Sequence, residues 1–392
     1  MAPPPRRHYL DHASTTPLRP EAAAALAGWA QSAATPDGVG DPGRVHEEGR
    51  RARGALELAR EEVAALLSTP ASRVVFTSGG TEAVNAAVAS AAADRPGAPV
   101  VAAGVEHSSV LEAARRVAPV ARLEVDRLGR VELGHLADLL GATPPPALVN
   151  CQWGNHEVGT LQPVADVVAL CRERGVPVHV DACSAAGHVV VDAAEVGADF
   201  LSVSAHKLGG PPGIGALVVR RGARLRPLLV GGAEERARRA GAENVPGAVG
   251  FGAAAAALSR PGALEAERAA AAAAVGRLVE GACALDGVTL VGDPDTAGRL
   301  PHIACFHVDG VQSEGVLLGL DRAGVAVHSG SSCSSETLEP SPVLAAMGAD
   351  PDRSLRVSPG WTTTDDDLEA FLEALPRVLA GLRALGAAAS AG

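Results

Sequence analysis

The chain has 392 residues, 47% of them apolar, 2% aromatic, and a formal charge of −11 at neutral pH. That length exceeds one small core and suits a large domain with a smaller one. The acidic balance argues against nucleic-acid binding, and no stretch approaches the roughly 20 apolar residues of a membrane span. Six cysteines (151, 171, 183, 283, 305 and 333) are scattered without a CxxC spacing, and the N-terminus Met-Ala-Pro-Pro-Pro-Arg-Arg-His lacks an apolar signal core. Both features predict a reduced, cytoplasmic chain with neither disulfides nor a metal site.

Short apolar runs alternate with amphipathic stretches. Val74-Val75-Phe76 leads into Gly79-Gly80 and a helix from Thr81, and Val100-Val101-Ala102 precedes Glu106-His107. Ala147-Leu148-Val149 precedes Asn155-His156-Glu157, Val176 to Val180 ends at Asp181, Phe200 to Val203 leads to Lys207, and Gly215 to Val219 reads as another strand. Strands alternating with helices predict a mostly parallel sheet covered on both faces. Its polar residues gather at the strands' C-terminal ends, where open α/β sheets bind ligands. An Ala-rich helical stretch from about Phe251 to Gly281, interrupted near Pro261, links this unit to a smaller α+β one. The smaller unit has strands at Val288–Leu290 and Ile303–His307, helices at Ser313–Leu320 and Leu368–Leu385, and a frayed tail from Gly386.

Lys207 is the only lysine; the rest of the 34 Lys and Arg residues are arginines. A lysine kept against that bias does something arginine cannot. Lysine can lose its proton in a shielded site and form a Schiff base with an aldehyde, and arginine cannot. The cofactor this implies is pyridoxal 5'-phosphate (PLP). Asp181, at a strand end 26 residues earlier, is suited to keep a pyridine nitrogen protonated, or else caps the following turn. Ser78-Gly79-Gly80-Thr81-Glu82 either cradles a phosphate at a helix N-terminus or only caps the helix. His107 could lie over a cofactor ring and move protons, or serve as a cap. Cys333, in a Ser/Gly-rich segment, is a candidate nucleophile. Arg356 is either a clamp for a substrate carboxylate or a surface ion pair.

Together these segments resemble the class V aminotransferase family, and within it the cysteine desulfurases of the NifS/IscS type. The resemblance runs from Tyr9-Leu-Asp-His-Ala-Ser-Thr-Thr-Pro17 through Phe76-Thr-Ser-Gly-Gly-Thr-Glu82, Asn155-His-Glu-Val-Gly159 and His179-Val-Asp-Ala182. It continues in Ser204-Ala-His-Lys-Leu-Gly-Gly-Pro-Pro-Gly213, the long Cys333 loop typical of group I, and Ser354-Leu-Arg-Val-Ser358. It implies fold type I, with a seven-stranded sheet in a large domain at 16–255. Residues 1–15 and 256–392 would form the small domain carrying the cysteine loop. It also implies a homodimer that converts L-cysteine to L-alanine and passes sulfur to an acceptor protein. Lys207 would hold PLP, with Gly80, Thr81, Ser204 and His206 on its phosphate, Asp181 on the pyridine nitrogen and His107 stacked on the ring. Asn155 would lie near the ring hydroxyl and substrate, Arg356 would grip the substrate carboxylate, and Cys333 would carry the persulfide. Ser184 stands where the family usually has glutamine, too short for the same ring contact. The partner-donated phosphate segment reads Arg239-Ala-Gly-Ala242, lacking one hydroxyl contact. The resemblance implies a chain without the C-terminal tail that some relatives use to dock an iron–sulfur scaffold, which leaves the acceptor open. These departures leave room for a selenocysteine lyase or another pathway-specific PLP lyase, which would not need the Cys333 loop. Retention of Lys207, Asp181, His107, Cys333 and Arg356 argues against a non-catalytic protein on the same fold.

Overall fold

The computed structural model describes residues 6–330 and 340–391. Its strands in chain order are β1 (His8–Tyr9), β2 (Val74–Thr77), β3 (Val100–Ala103), β4 (Val120–Leu123), β5 (Leu148–Gln152) and β6 (Val178–Asp181). They continue with β7 (Phe200–Ser204), β8 (Gly215–Val219), β9 (Val288–Val291), β10 (Ala304–Val308), β11 (Val325–Ala326) and β12 (Ser354–Val357). A seven-stranded sheet has the order β2-β8-β7-β6-β5-β3-β4. Only β8 runs against its neighbours, so the sheet is mostly parallel as the sequence predicts.

The pleat alternates side chains between two apolar layers. Val74, Phe76, Leu201, Val203, Ala216 and Val218 join one cluster; Val75, Phe200, Leu217 and Val219 join the other. The first layer is covered by helices Glu47–Leu66 and Val245–Leu258, the second by Gly80–Asp94 and Ser108–Val117. Both faces being covered explains why β5 and β7 are buried at every residue. β2 and β4 are the edge strands; β2 is buried throughout, but three of the four residues of β4 are at least partly exposed. The β4 run Val-Ala-Arg-Leu lacks the continuous apolar signal that marks the inner strands.

A third cluster joins Leu10, Val275, Leu278, Phe306, Leu355 and Phe371 around the antiparallel sheet β12-β10-β9. The chain's beginning returns here: β1 pairs in parallel with β11. The predicted Ala-rich helix is two helices, Val245–Leu258 and Ala263–Cys283, separated at Pro261-Gly262, where Gly262 adopts φ 77°. The second packs Leu264 on the first core and Val275 and Leu278 on the third. The last helix runs Asp365–Ala391, so the segment expected to fray from Gly386 continues the helical backbone. Among the described residues no helix is long and apolar enough to cross a membrane.

Candidate active site

A cavity of about 440 Å³ opens at the C-terminal ends of the parallel strands. β2 delivers Gly80 and Thr81 to it, β3 delivers His107, β5 His156, β6 Asp181, and β7 Ser204, His206 and Lys207. β12 contributes Arg356 from the smaller sheet, so the cavity lies between the two sheets.

The turn after β2 is built on two glycines. Gly79 has φ 153° and ψ −178°, a conformation other residues rarely adopt. A Cβ on Gly80 would stand 2.4 Å from Cys183 Sγ. The 15-residue helix beginning at Gly80 points its free N–H groups and positive dipole end at the cavity.

Asp181 Oδ1 accepts the Cys183 N–H and the Ser202 hydroxyl, both at 3.0 Å. Burial alone would raise its pKa; His179, the Cys183 contacts and His107 outweigh this and hold the carboxyl below its ordinary range. Lys207 lies in the single turn of 3-10 helix after β7, with Nζ donating to Ser184 Oγ at 3.2 Å. Burial lowers its pKa, partly opposed by Cys183 and Asp181.

His107 caps helix Ser108–Val117, its Nδ1 accepting the Ser109 N–H at 3.1 Å. It is therefore both a cap and a cavity residue. Burial, then His156 and Lys207, push its pKa down to about 3. Arg356 is only 3% exposed, unlike a surface ion pair. Its Nη1 donates to the His156 carbonyl at 2.8 Å; its Nη2 donates to Asp11 Oδ1 at 2.8 Å and to Ser14 Oγ at 2.6 Å.

Asn155 is the exception among the predicted residues, because it does not line the cavity. Its Oδ1 accepts the N–H groups of Glu157 and Val158, and its Nδ2 donates to Val105 O. Three of its bonds hold the turn and one amide N–H remains, while the next residue, His156, lines the cavity. A signal for His156 was present: it stands four residues past the end of β5, as His107 stands four past the end of the adjacent β3. Ser14 and His328 also line the cavity unforeseen, and Cys183 lines it beside Ser184. Arg239 donates to Glu82 of its own chain at 2.9 Å. Cys333 lies outside the described residues; Gly330, just before that segment, lines the cavity.

This architecture, with ligand-bearing strand ends facing a second small domain, is that of a PLP-dependent enzyme of fold type I. The sequence pattern of the family "Aminotransferase class-V" matches residues 8–371, and the chain belongs to that family. It is 39% identical to an IscS-like cysteine desulfurase of Mycobacterium tuberculosis, covering 97% of this chain and 98% of that one. It is 36% identical to the cysteine desulfurase IscS of Dictyoglomus turgidum, covering 97% and 96%. Among solved structures, a NifS-like protein from Rickettsia africae superposes with TM-score 0.86 at 26% identity, over 95% of this chain and 99% of the other. SspA in complex with cysteine superposes with TM-score 0.76 at 26% identity, over 90% and 98%.

Proposed function

We propose that this protein is a PLP-dependent cysteine desulfurase, converting L-cysteine to L-alanine and carrying the sulfur as a persulfide on Cys333 to an acceptor protein. The observation that carries the reading is the placement of the only lysine, Lys207, in a cavity that also holds Asp181, His107 and Arg356. Near-full-length relatives named cysteine desulfurase support the substrate.

The residues present fit PLP. Lys207 would hold it covalently through Nζ, whose lowered pKa favours the nucleophilic amine. Gly80, Thr81, Ser204 and His206 would hold the phosphate at the helix N-terminus. Asp181, kept ionised, would pair with the pyridinium, and Ser184 lies next to Lys207. When bound, PLP supplies an electron sink that weakens the substrate's carbon–sulfur bond. Arg356 orients the substrate carboxylate. His107, neutral by burial, moves protons. The Cys333 thiolate forms the new sulfur–sulfur bond as the substrate's carbon–sulfur bond breaks.

The same reading makes the protein a cytoplasmic homodimer. Leu228, Leu229 and Val230 are 43%, 41% and 84% exposed beside the Arg239–Ala242 segment, which supports a partner there. The described cysteines are all free, which supports a reducing compartment. We divide the chain into 16–255 and 1–15 with 256–392, supported by the cluster that joins Leu10 to Val275 and later residues.

The test is alanine and sulfide released from L-cysteine with added PLP and a thiol reductant, beside Cys333→Ala. Equal alanine and sulfide, lost in the variant, is the expected result. Sulfide with pyruvate, independent of Cys333, would overturn the reading in favour of another lyase.

A further inference from the structure

A second cavity of about 440 Å³ lies at the other end of the seven-stranded sheet, by the N-terminal ends of the parallel strands. Ala147 precedes β5, Val178 and Phe200 begin β6 and β7, and all three are buried side chains of its wall. β8 runs the opposite way, so its end at Val219 brings Arg220 to the same side. The chemistry proposed above uses none of these residues, yet the cavity matches the active one in volume.

Its ionised side chains do not balance. Arg95, Arg172, Arg220 and Arg224 line it against Asp94 and Asp199, an excess of two positive charges in a chain whose formal charge is −11. Both carboxylates are already engaged. Asp199 Oδ1 accepts from Arg220 Nε at 3.2 Å and Nη2 at 2.5 Å, and its Oδ2 accepts the Val178 N–H at 2.9 Å. Asp94 Oδ1 accepts from Arg226 Nε at 2.6 Å, with Arg224 Nη1 farther off at 3.6 Å.

The side chains of Arg95 and Arg172 bond only to backbone carbonyls among the described residues. Arg95 Nη1 donates to Pro146 O at 2.8 Å and its Nη2 to Gly175 O at 2.7 Å; Arg172 Nη2 donates to Gly197 O at 3.3 Å. Carbonyls hold a guanidinium in place without cancelling its charge, and most N–H donors of both forks remain free. The two attachments adjoin: Gly175, whose carbonyl Arg95 holds, donates its own N–H to the Arg172 carbonyl at 3.2 Å. Guanidinium forks match phosphate oxygens bidentately, and a dianion balances an excess of two positive charges. Apolar walls with a few placed polar groups are the usual make-up of a small-molecule pocket.

We propose that this cavity binds a phosphate monoester of a small apolar body, with the phosphate on Arg95 and Arg172 and the body against Ala147, Val178 and Phe200. The site lies across the sheet from Lys207 and does not depend on the PLP and L-cysteine reading above.

The test is calorimetric titration of the full-length protein with phenyl phosphate, inorganic phosphate and phenol. Loading with PLP and reducing with borohydride beforehand keeps the phosphate cradle at Gly80 filled. We expect one phenyl phosphate per chain with a Kd of about 1 mM or tighter, and weaker binding of both phosphate and phenol. Arg172→Ala should weaken phenyl phosphate by about tenfold, the loss of one hydrogen bond, and Arg172→Glu should abolish its binding. Both variants should release alanine from L-cysteine as the wild type does. The proposal is overturned if phenyl phosphate shows no saturable binding, if phosphate or phenol binds as tightly, or if Arg172→Glu leaves its affinity unchanged. Should Arg172→Glu fail to fold, Arg172→Ala, which gives up only the 3.3 Å bond to Gly197 O, decides alone. If no PLP is incorporated, the desulfurase reading fails, and the Arg172 comparison on the unloaded protein still decides where phenyl phosphate binds.

Discussion

Lys207 Nζ donates to Ser184 Oγ at 3.2 Å, the only side-chain hydrogen bond of that amine among the described residues. A hydroxyl accepting from the amine favours its charged form, against the burial that lowers its pKa. Ser184→Ala should therefore lower that pKa further. The rate at which apo-protein gains PLP absorbance, followed against pH, should show its midpoint moved to lower pH. An upward movement would mean that the hydroxyl does not stabilise the ammonium.

Gly80 and Cys183 fit against each other. A Cβ at Gly80 would stand 2.4 Å from Cys183 Sγ but 3.7 Å from Cys183 Cβ. Gly80→Ala should destabilise the protein by about 1–3 kcal/mol through overpacking and weaken PLP binding. Adding Cys183→Ala removes the clashing sulfur and should recover most of both losses. Strictly additive losses in the double variant, read by thermal melts and PLP titration, would refute the steric cause.

Arg60 and Glu235 form a buried bidentate pair, at 2.6 and 2.8 Å, with the Phe76 N–H also on Glu235. Both side chains are almost fully enclosed. Glu235→Ala would leave the buried guanidinium with only the part-exposed Glu57, 3.3 Å from its Nε, and the Val74 carbonyl, an effect of up to about 3–5 kcal/mol. The expected result is a clearly lower urea midpoint. A shift within error would show that Arg60 finds another partner.

Glu106 is buried, with Oε1 accepting the Gln152 N–H and Oε2 without a partner among the described residues. Burial raises its pKa to about 8. The folded state therefore retains a proton that the unfolded chain loses near pH 4.5. This contribution to stability is fully present below about pH 4.5 and is lost as pH rises to about 8, at up to about 1.4 kcal/mol per pH unit. Glu106→Gln removes the titration. Its stability relative to the wild type should rise across that window in denaturant titrations and level off above it; a pH-independent difference would refute the raised pKa.

Ala242 offers no hydroxyl where the family's partner-donated segment has one. Dialysis should strip PLP from this protein readily, and Ala242→Thr should improve retention by up to roughly tenfold. Full PLP retention by the unaltered protein after prolonged dialysis would count against this.

The inner strands were legible because sheets covered on both faces demand unbroken apolar runs, and β5 to β8 have them. Lys207, Asp181, His107 and Gly80 were legible because each follows such a run and so falls at its C-terminal end. Asn155 and His156 were not separable in the same way. Which side chain of a tight turn faces inward depends on backbone bonds, and Asn155 spends its oxygen on two local ones and one amide N–H on Val105 O. Arg60–Glu235 and Asp11–Arg356 were invisible for another reason: their partners lie 175 and 345 residues apart. The break in the Ala-rich stretch was legible because proline, lacking an N–H, disfavours a helix interior, and the left-handed Gly262 beside it completes the turn.

A chain whose one lysine sits inside a cavity has no lysine amine on its outer surface. Amine-directed labels, cross-linkers and coupling resins therefore find no lysine of this sequence outside that cavity. Lysine modification within this sequence reports access to Lys207. Borohydride reduction in the presence of PLP should accordingly mark one peptide in a digest, giving a direct count of loaded sites.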